Sequence, residues 1–403
     1  MTNPTPMSAL AQRWSELALA DVPLGGMATR AARESGSLLR EPATEEQVRE
    51  VEARLGRRLP PSYREFLLVS DGAFGDLYGA TCVYSEDGFE EAPPESSVVG
   101  VGLLPVADLR WLRDAHPATA ALYAGIGGPC EPVTHDFADP WPWAPFADGL
   151  VIDTDKAPGQ TCLVPFAGLE EWQVWNIHKE TSEAYVSFRS FLEYQVALRE
   201  PIESVDELRA VIERASSGDY VATRRLSRTT APDAVPVLAE LVDPRFGVQP
   251  ALGLGRIGTP EAIAALVRLL PAGVEEALAL AGTDQARDVL ADWGEFHLLS
   301  LLGDVRGAEI AASRLVEVPS ALLPGQVNSA VRVLGRAGDP RFVEPLLALV
   351  PDDDWTELGI AHALARLGAP EGRERLDVLA RGDGPMKRAA RLSLERLERG
   401  RLP

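Results

Sequence analysis

Side chains suited to acid–base, nucleophilic or metal chemistry are few in this chain and widely spaced. The five histidines are His116, His135, His178, His297 and His362. HDFADPWPW sets His135 beside Asp136 and Asp139, and VIDTDK supplies Asp153 and Asp155, so residue types alone allow a carboxylate-rich metal site. Neither stretch has the paired histidines one helical turn apart of a zinc hydrolase, or the alternating ligands of a calcium loop. Both read better as solvated loops and strand ends. No G-x-S-x-G elbow presents a serine. AGIGGPC (124–130) lacks the dinucleotide-binding spacing and the P-loop lysine, and reads as a turn. Cys82, Cys130 and Cys162 are odd in number, far apart and without CxxC spacing, which suits small buried residues in a reducing compartment. The sequence predicts no catalytic residue, no metal and no cofactor.

Charge says more than chemistry. The chain has 403 residues, enough for two or three domains, with 46% hydrophobic and 25% charged residues and a formal net charge of −21. Such a surface repels phosphate backbones and anionic membranes and attracts basic partners, which excludes a general nucleic-acid-binding role. Residues 1–200 hold 15 Lys and Arg against 30 Asp and Glu, whereas residues 201–403 hold 24 against 30, so the acid is concentrated in the first half. Its densest run is SEDGFEEAPPE (85–95), with Glu86, Asp87, Glu90, Glu91 and Glu95 around Phe89. Nothing in the run suggests the burial that raises a carboxylate pKa for acid–base work. It reads either as a solvated loop or as a surface for a basic partner, with Phe89 as apolar anchor. The N-terminus has neither the basic nor the apolar region of a signal peptide, and no stretch reaches the ~18 apolar residues of a membrane span. A cytoplasmic, monomeric protein is expected. Three lysines against 36 arginines in an Ala-rich chain suggest a GC-rich bacterial genome.

The elements that would carry these residues are legible. EPATEEQVREVEARLG starts a helix at Thr44 with Gln47 as capping-box partner, places Val48, Val51 and Leu55 at helical spacing and ends at Gly56. RLPPSYREFLLVSDG predicts a second helix, with Pro61 in its first turn, Tyr63, Phe66, Leu67 and Ser70 on one face, and Gly72 free to take positive φ at the end. Short β-branched and aromatic runs follow at 80–84, 97–105, 150–154, 161–165, 172–178 and 184–187. SFRSFLEYQVAL closes the region as a helix with Ser187 or Ser190 as cap, and Phe188, Phe191, Leu192 and Val196 on one face. This is an α+β domain, with helices packed on a mostly antiparallel sheet.

These blocks resemble the SUKH superfamily, the Smi/Knr-like domain, over about residues 41–195. The resemblance rests on Leu59, Pro60, Tyr63, Phe66, Leu67, Asp71 and Gly72, then Trp175, Ser190, Phe191 and Leu192. Asp71 stands where asparagine is frequent, and residues 106–149 are longer and richer in Pro and Trp than the family pattern. The resemblance implies binding rather than catalysis: bacterial members are commonly immunity proteins that neutralise toxins, many of them nucleases, and fungal relatives are regulatory scaffolds.

The second half repeats itself. LSRTTAPDAVPVLAELV (226–242), LGRIGTPEAIAALVRLL (254–270), LGRAGDPRFVEPLLALV (334–350) and LARLGAPEGRERLDVLA (364–380) align without gaps, at offsets of 28, 80 and 30. Each unit reads as a helix ending at Gly or Thr230, a short turn, a proline in the next helix (Pro232, Pro260, Pro340, Pro370) and inward leucines. Degenerate units are expected between 275 and 325. The pattern resembles HEAT repeats of the bilin-lyase type over about residues 202–400, an all-α solenoid of a kind that usually binds protein. One column, Arg228, Arg256, Arg336 and Arg366, lies two residues ahead of the turn. Cations there complement the last-turn carbonyls; alternatively they form a ladder for an acidic segment, including one from the chain's own first domain.

The expected organisation is an N-terminal extension (1–40, partly helical), a SUKH-like domain (41–198) and HEAT-like repeats (199–403). The expected function is a non-catalytic immunity protein that binds a basic toxin domain, with a regulatory scaffold for a cellular protein partner as the alternative.

Overall fold

The computed structural model describes residues 5–20, 35–74, 102–126, 130–136, 138, 140, 143–153, 160–177, 182–242, 244–270, 273–317, 324–351, 353–384 and 386–398. Described residues up to Glu200 form one compact unit, and those from Pro201 form a second.

In the first unit, α1 (Met7–Ala20) buries Met7, Leu10, Trp14 and Ala18 in the same core as the later helices, so part of the N-terminal extension belongs to this unit's interior. Helix α2 (Glu45–Leu55) begins with the expected capping box: Thr44 Oγ1 accepts the Gln47 amide (3.2 Å) and Gln47 Oε1 accepts the Thr44 amide (2.7 Å). It ends on Gly56 at φ 70°. Helix α3 (Pro61–Leu67) is shorter than its apolar run predicts. Ser70 lies beyond it, fully buried, where its Oγ accepts the Arg40 amide (2.8 Å) and donates to the Gly72 carbonyl (2.6 Å). Short polar side chains that bond nearby backbone groups compete with helix, and here they end it.

The described sheet has five antiparallel strands in the order β1 (Arg110–Trp111), β2 (Leu150–Val151), β3 (Gln160–Val164), β4 (Gln173–Ile177) and β5 (Ser182–Tyr185). Register follows the period of two: Leu163, Val174 and Tyr185 face the core shared by α1, α2, α3 and α6 (Phe188–Ala197), whereas Cys162, Trp175 and Ala184 face the opposite way. The opposite face is covered by α4 (Leu112–Ala115), α5 (Pro117–Ala124) and a 3₁₀ turn at 144–148. Helices therefore cover both faces. The first-half strand at 80–84 and most of the one at 97–105 lie outside the described residues.

The second unit is all-helical. It runs α7 (Val205–Ser216), α8 (Tyr220–Arg225), α9 (Val235–Glu240), α10 (Gln249–Ile257), α11 (Pro260–Leu269), α12 (Val274–Ala281), α13 (Asp284–Trp293), α14 (Phe296–Leu301), α15 (Arg306–Glu317), α16 (Pro324–Ala337), α17 (Val343–Leu347), α18 (Asp354–Arg366), α19 (Pro370–Arg381) and α20 (Lys387–Glu398). The degenerate stretch is made of helices too, α12 to α15. Leu226, Leu254, Leu334 and Leu364 are fully buried, as are Leu238, Leu266, Leu346 and Leu376. The third leucine column lies at the surface edge instead: Leu241, Leu349 and Leu379 are half-buried and Leu269 is exposed. Alternate helices touch backbone to backbone. A Cβ on Gly255 would lie 2.1 Å from the Ala277 carbonyl oxygen, and one on Gly335 would lie 2.8 Å from the Ala363 Cα.

Candidate functional site

The described candidates for catalytic chemistry are occupied by structural work. Asp136 Oδ1 accepts the Val186 amide and the Ser190 hydroxyl (both 2.8 Å), and Ala138 exchanges backbone hydrogen bonds with Ala184 (2.8 and 3.2 Å). The His135–Asp136 segment thus covers the edge of β5. Asp153 is buried at the end of β2, where its Oδ2 accepts the Thr161 amide (2.6 Å). Asp139, Asp155 and His178 lie outside the described residues. His362 Nε2 is hydrogen-bonded to Ser393 Oγ, which donates to the Ala389 carbonyl one turn back (2.8 Å). Partial burial of its ring, then the charges of Arg332 and Arg336, hold His297 below its ordinary pKa. Burial raises the Cys162 thiol well above its usual value, Asp153 adding to it, and burial raises Cys130 as well, so neither is a thiolate nucleophile. Among the described residues no three His, Cys, Asp or Glu side chains converge as a metal site.

The acidic run Glu86, Asp87, Phe89, Glu90 and Glu91 lies outside the described residues. The arginine column is described throughout. Arg256, Arg336 and Arg366 stand in the last turns of α10, α16 and α18, and Arg228 ends a 3₁₀ turn after α8. Arg256 is half-buried, and its Nε donates across to the Ser227 carbonyl of the preceding repeat (3.2 Å). Other arginines off the column do the same: Arg314 donates to the Trp293 carbonyl (3.2 Å) and Arg391 to the Ala380 carbonyl (3.3 Å). Each serves an orphan carbonyl at a helix end. For Arg256 the donation crosses to the neighbouring repeat, a relation that requires knowing which helices stack.

Apolar exposure in the second unit also lies within the repeats, beside the leucine columns. Val350 is 87% and Val378 69% exposed, and Leu270, at φ 43°, is 63% exposed in the left-handed region that disfavours leucine. No described helix is long and apolar enough to cross a membrane.

Residues 42–194 match the SMI1 / KNR4 family (SUKH-1), and residues 251–270, which span most of α10 and α11, match the PBS lyase HEAT-like repeat. No curated protein matches the chain. The first match covers α2 to the middle of α6, including the whole described sheet. A SUKH-1 region is followed by a HEAT-like repeat, a pairing that suggests a protein-interaction module.

Proposed function

We propose that this chain is a non-catalytic cytoplasmic immunity protein, which neutralises a bacterial toxin by direct stoichiometric binding. The observation that carries the reading is a SUKH-1 region lying within the half of the chain that holds 15 basic against 30 acidic residues. A surface of that sign accelerates encounter with a basic nuclease domain and disfavours nucleic acid as a competitor. Glu86, Asp87, Glu90 and Glu91 supply the densest local charge, with Phe89 as anchor, and the column Arg228, Arg256, Arg336 and Arg366 offers a second surface of opposite sign. The protein acts as a monomer and forms a 1:1 complex.

Co-expression with a basic toxin domain encoded beside its gene should restore growth. Neutralising the four carboxylates together (E86Q, D87N, E90Q, E91Q) should slow association on the order of tenfold at low salt and by much less at high salt. Equal association rates at low salt would remove the acidic run from the interface. A second reading, a regulatory scaffold, draws on the HEAT-like repeat and on the exposed Val350 and Val378 of the second unit. It requires no toxin gene nearby, and a cellular partner held by the helical half alone would favour it.

A further inference from the structure

Arg40 lies just ahead of the matched segment, and its surroundings are those of a recognition group. Its backbone is fixed: the Arg40 amide donates to Ser70 Oγ (2.8 Å), Leu39 bridges to Ala73, and the Phe74 amide donates to the Leu38 carbonyl (2.8 Å). This short ladder holds Arg40 and Phe74 together, with the guanidinium carbon 4.4 Å from the ring centroid. Gly72 makes the ladder possible, because at φ 79° a Cβ there would lie 2.5 Å from the Leu103 carbonyl oxygen.

Among the described residues the guanidinium has no hydrogen-bond acceptor. Arg40 Nε is buried without a hydrogen-bond partner, and no carboxylate among the described residues forms an ion pair with the side chain. Asp71, the neighbour of highest influence, has its Oδ1 taken by the Val106 amide (2.6 Å). Burial accordingly lowers the Arg40 pKa, with Asp71 and then Asp108 opposing. A half-buried cation without a partner is costly, and an apolar side chain of similar length would be better for stability alone.

We propose that Arg40, stacked on Phe74, is a binding residue that donates a two-pronged hydrogen bond to a carboxylate presented by an acidic segment of a protein partner. With Nε buried against the protein, the terminal Nη edge of the stacked guanidinium is the one that can meet a partner, and that edge matches a planar carboxylate. Asp71 and Asp108 nearby, in an acidic half, disfavour a phosphate dianion more strongly than a monoanion.

The test uses the full chain labelled with ¹⁵N,¹³C-arginine, in which R40M identifies the Arg40 resonance by its loss. Sodium acetate, titrated against sodium chloride at equal ionic strength, should shift the Arg40 guanidinium Nη and Cζ resonances saturably, with a dissociation constant on the order of 10 mM for so small a ligand. Sodium phosphate should bind more weakly, and R40K should weaken acetate binding at least about threefold. R40M should melt at the wild-type temperature or above. A shift no larger than that of chloride would overturn the proposal, and so would tighter binding of phosphate than acetate. A lower melting temperature for R40M would make Arg40 a packing residue and overturn it as well.

Discussion

The two units solve the problem of a dry interior in opposite ways. The bulkiest fully buried side chains, among them Trp14, Tyr63, Phe66, Phe146, Trp175, Tyr185, Phe188 and Phe191, all belong to the first unit. Several pack ring on ring, Tyr63 against Phe188 edge to face at 4.8 Å and 67° and Tyr185 against Phe191 at 5.2 Å and 71°. The second unit buries alanine and leucine and brings helix backbones together at Gly255 and Gly335. Charge divides along the same line. The second half holds 24 basic residues against 30 acidic, and Arg256, Arg314 and Arg391 spend hydrogen bonds on its own helix ends, whereas the first half carries a large surplus of acid. The difference teaches that the first unit is specified by volume and the second by close approach, and that the first has the stronger unbalanced field.

Substitutions that add or remove volume should separate these cases. The largest effect is expected from Gly255→Val, whose Cβ would meet the Ala277 carbonyl oxygen at 2.1 Å. A loss above about 3 kcal/mol follows from overpacking against backbone, read as lost hydrogen-exchange protection in α10 and α12. Near-native protection there would break the comparison. Phe188→Ala in the first unit should cost about 3–5 kcal/mol, the price of a cavity among Tyr63, Phe66 and Phe191, seen as a lower denaturant midpoint. Gly258→Ala should cost only about 1 kcal/mol, because that site demands positive φ (65°) and has no contact under 3.4 Å.

Two titrations sharpen the electrostatic side of the contrast. Hydrogen bonds from the Arg306 side chain, then its backbone amide, outweigh burial and hold Asp304 below its ordinary pKa. A carboxylate depressed in the folded state contributes stability that is present above its unfolded pKa of about 4 and is lost as pH falls through the folded value. Asp304→Asn should therefore lower the urea midpoint at pH 7 and differ little from wild type near pH 2. Glu295 has the opposite sign: burial, then Glu275, raise it, with Glu276 assisting and Arg314 opposing. Its folded pKa lies above the unfolded one, so Glu295→Gln should raise the midpoint slightly at pH 7, the gain fading as pH falls toward 4.

Local chemistry made much of this fold readable. Thr44 with Gln47, Ser187 with Ser190, Pro260 before Ala262 and Gly258 after Ile257 each act within one helical turn, and the structure shows them at the helix ends they predict. Helices α4 and α5 were not legible, since His116–Pro117 interrupts the pattern and Pro117 restarts a helix at once. The role of Asp136 was equally hidden: it is 50 residues from Val186, and only the finished sheet brings the two together. For the same reason Arg40 gave no signal. Its meaning depends on Ser70 and Phe74, about thirty residues on, and on the lack of an acceptor among the described residues rather than on a motif that is present.

The central claim is stoichiometric, non-catalytic neutralisation. The most direct measurement titrates the purified full chain into the toxin domain encoded beside its gene and follows both toxin activity and complex mass. The account predicts activity falling linearly to an end point at one chain per toxin, with a 1:1 complex whose association slows as salt rises. Inactivation by far less than one equivalent would show turnover and contradict the account, as would full toxin activity in the presence of excess chain.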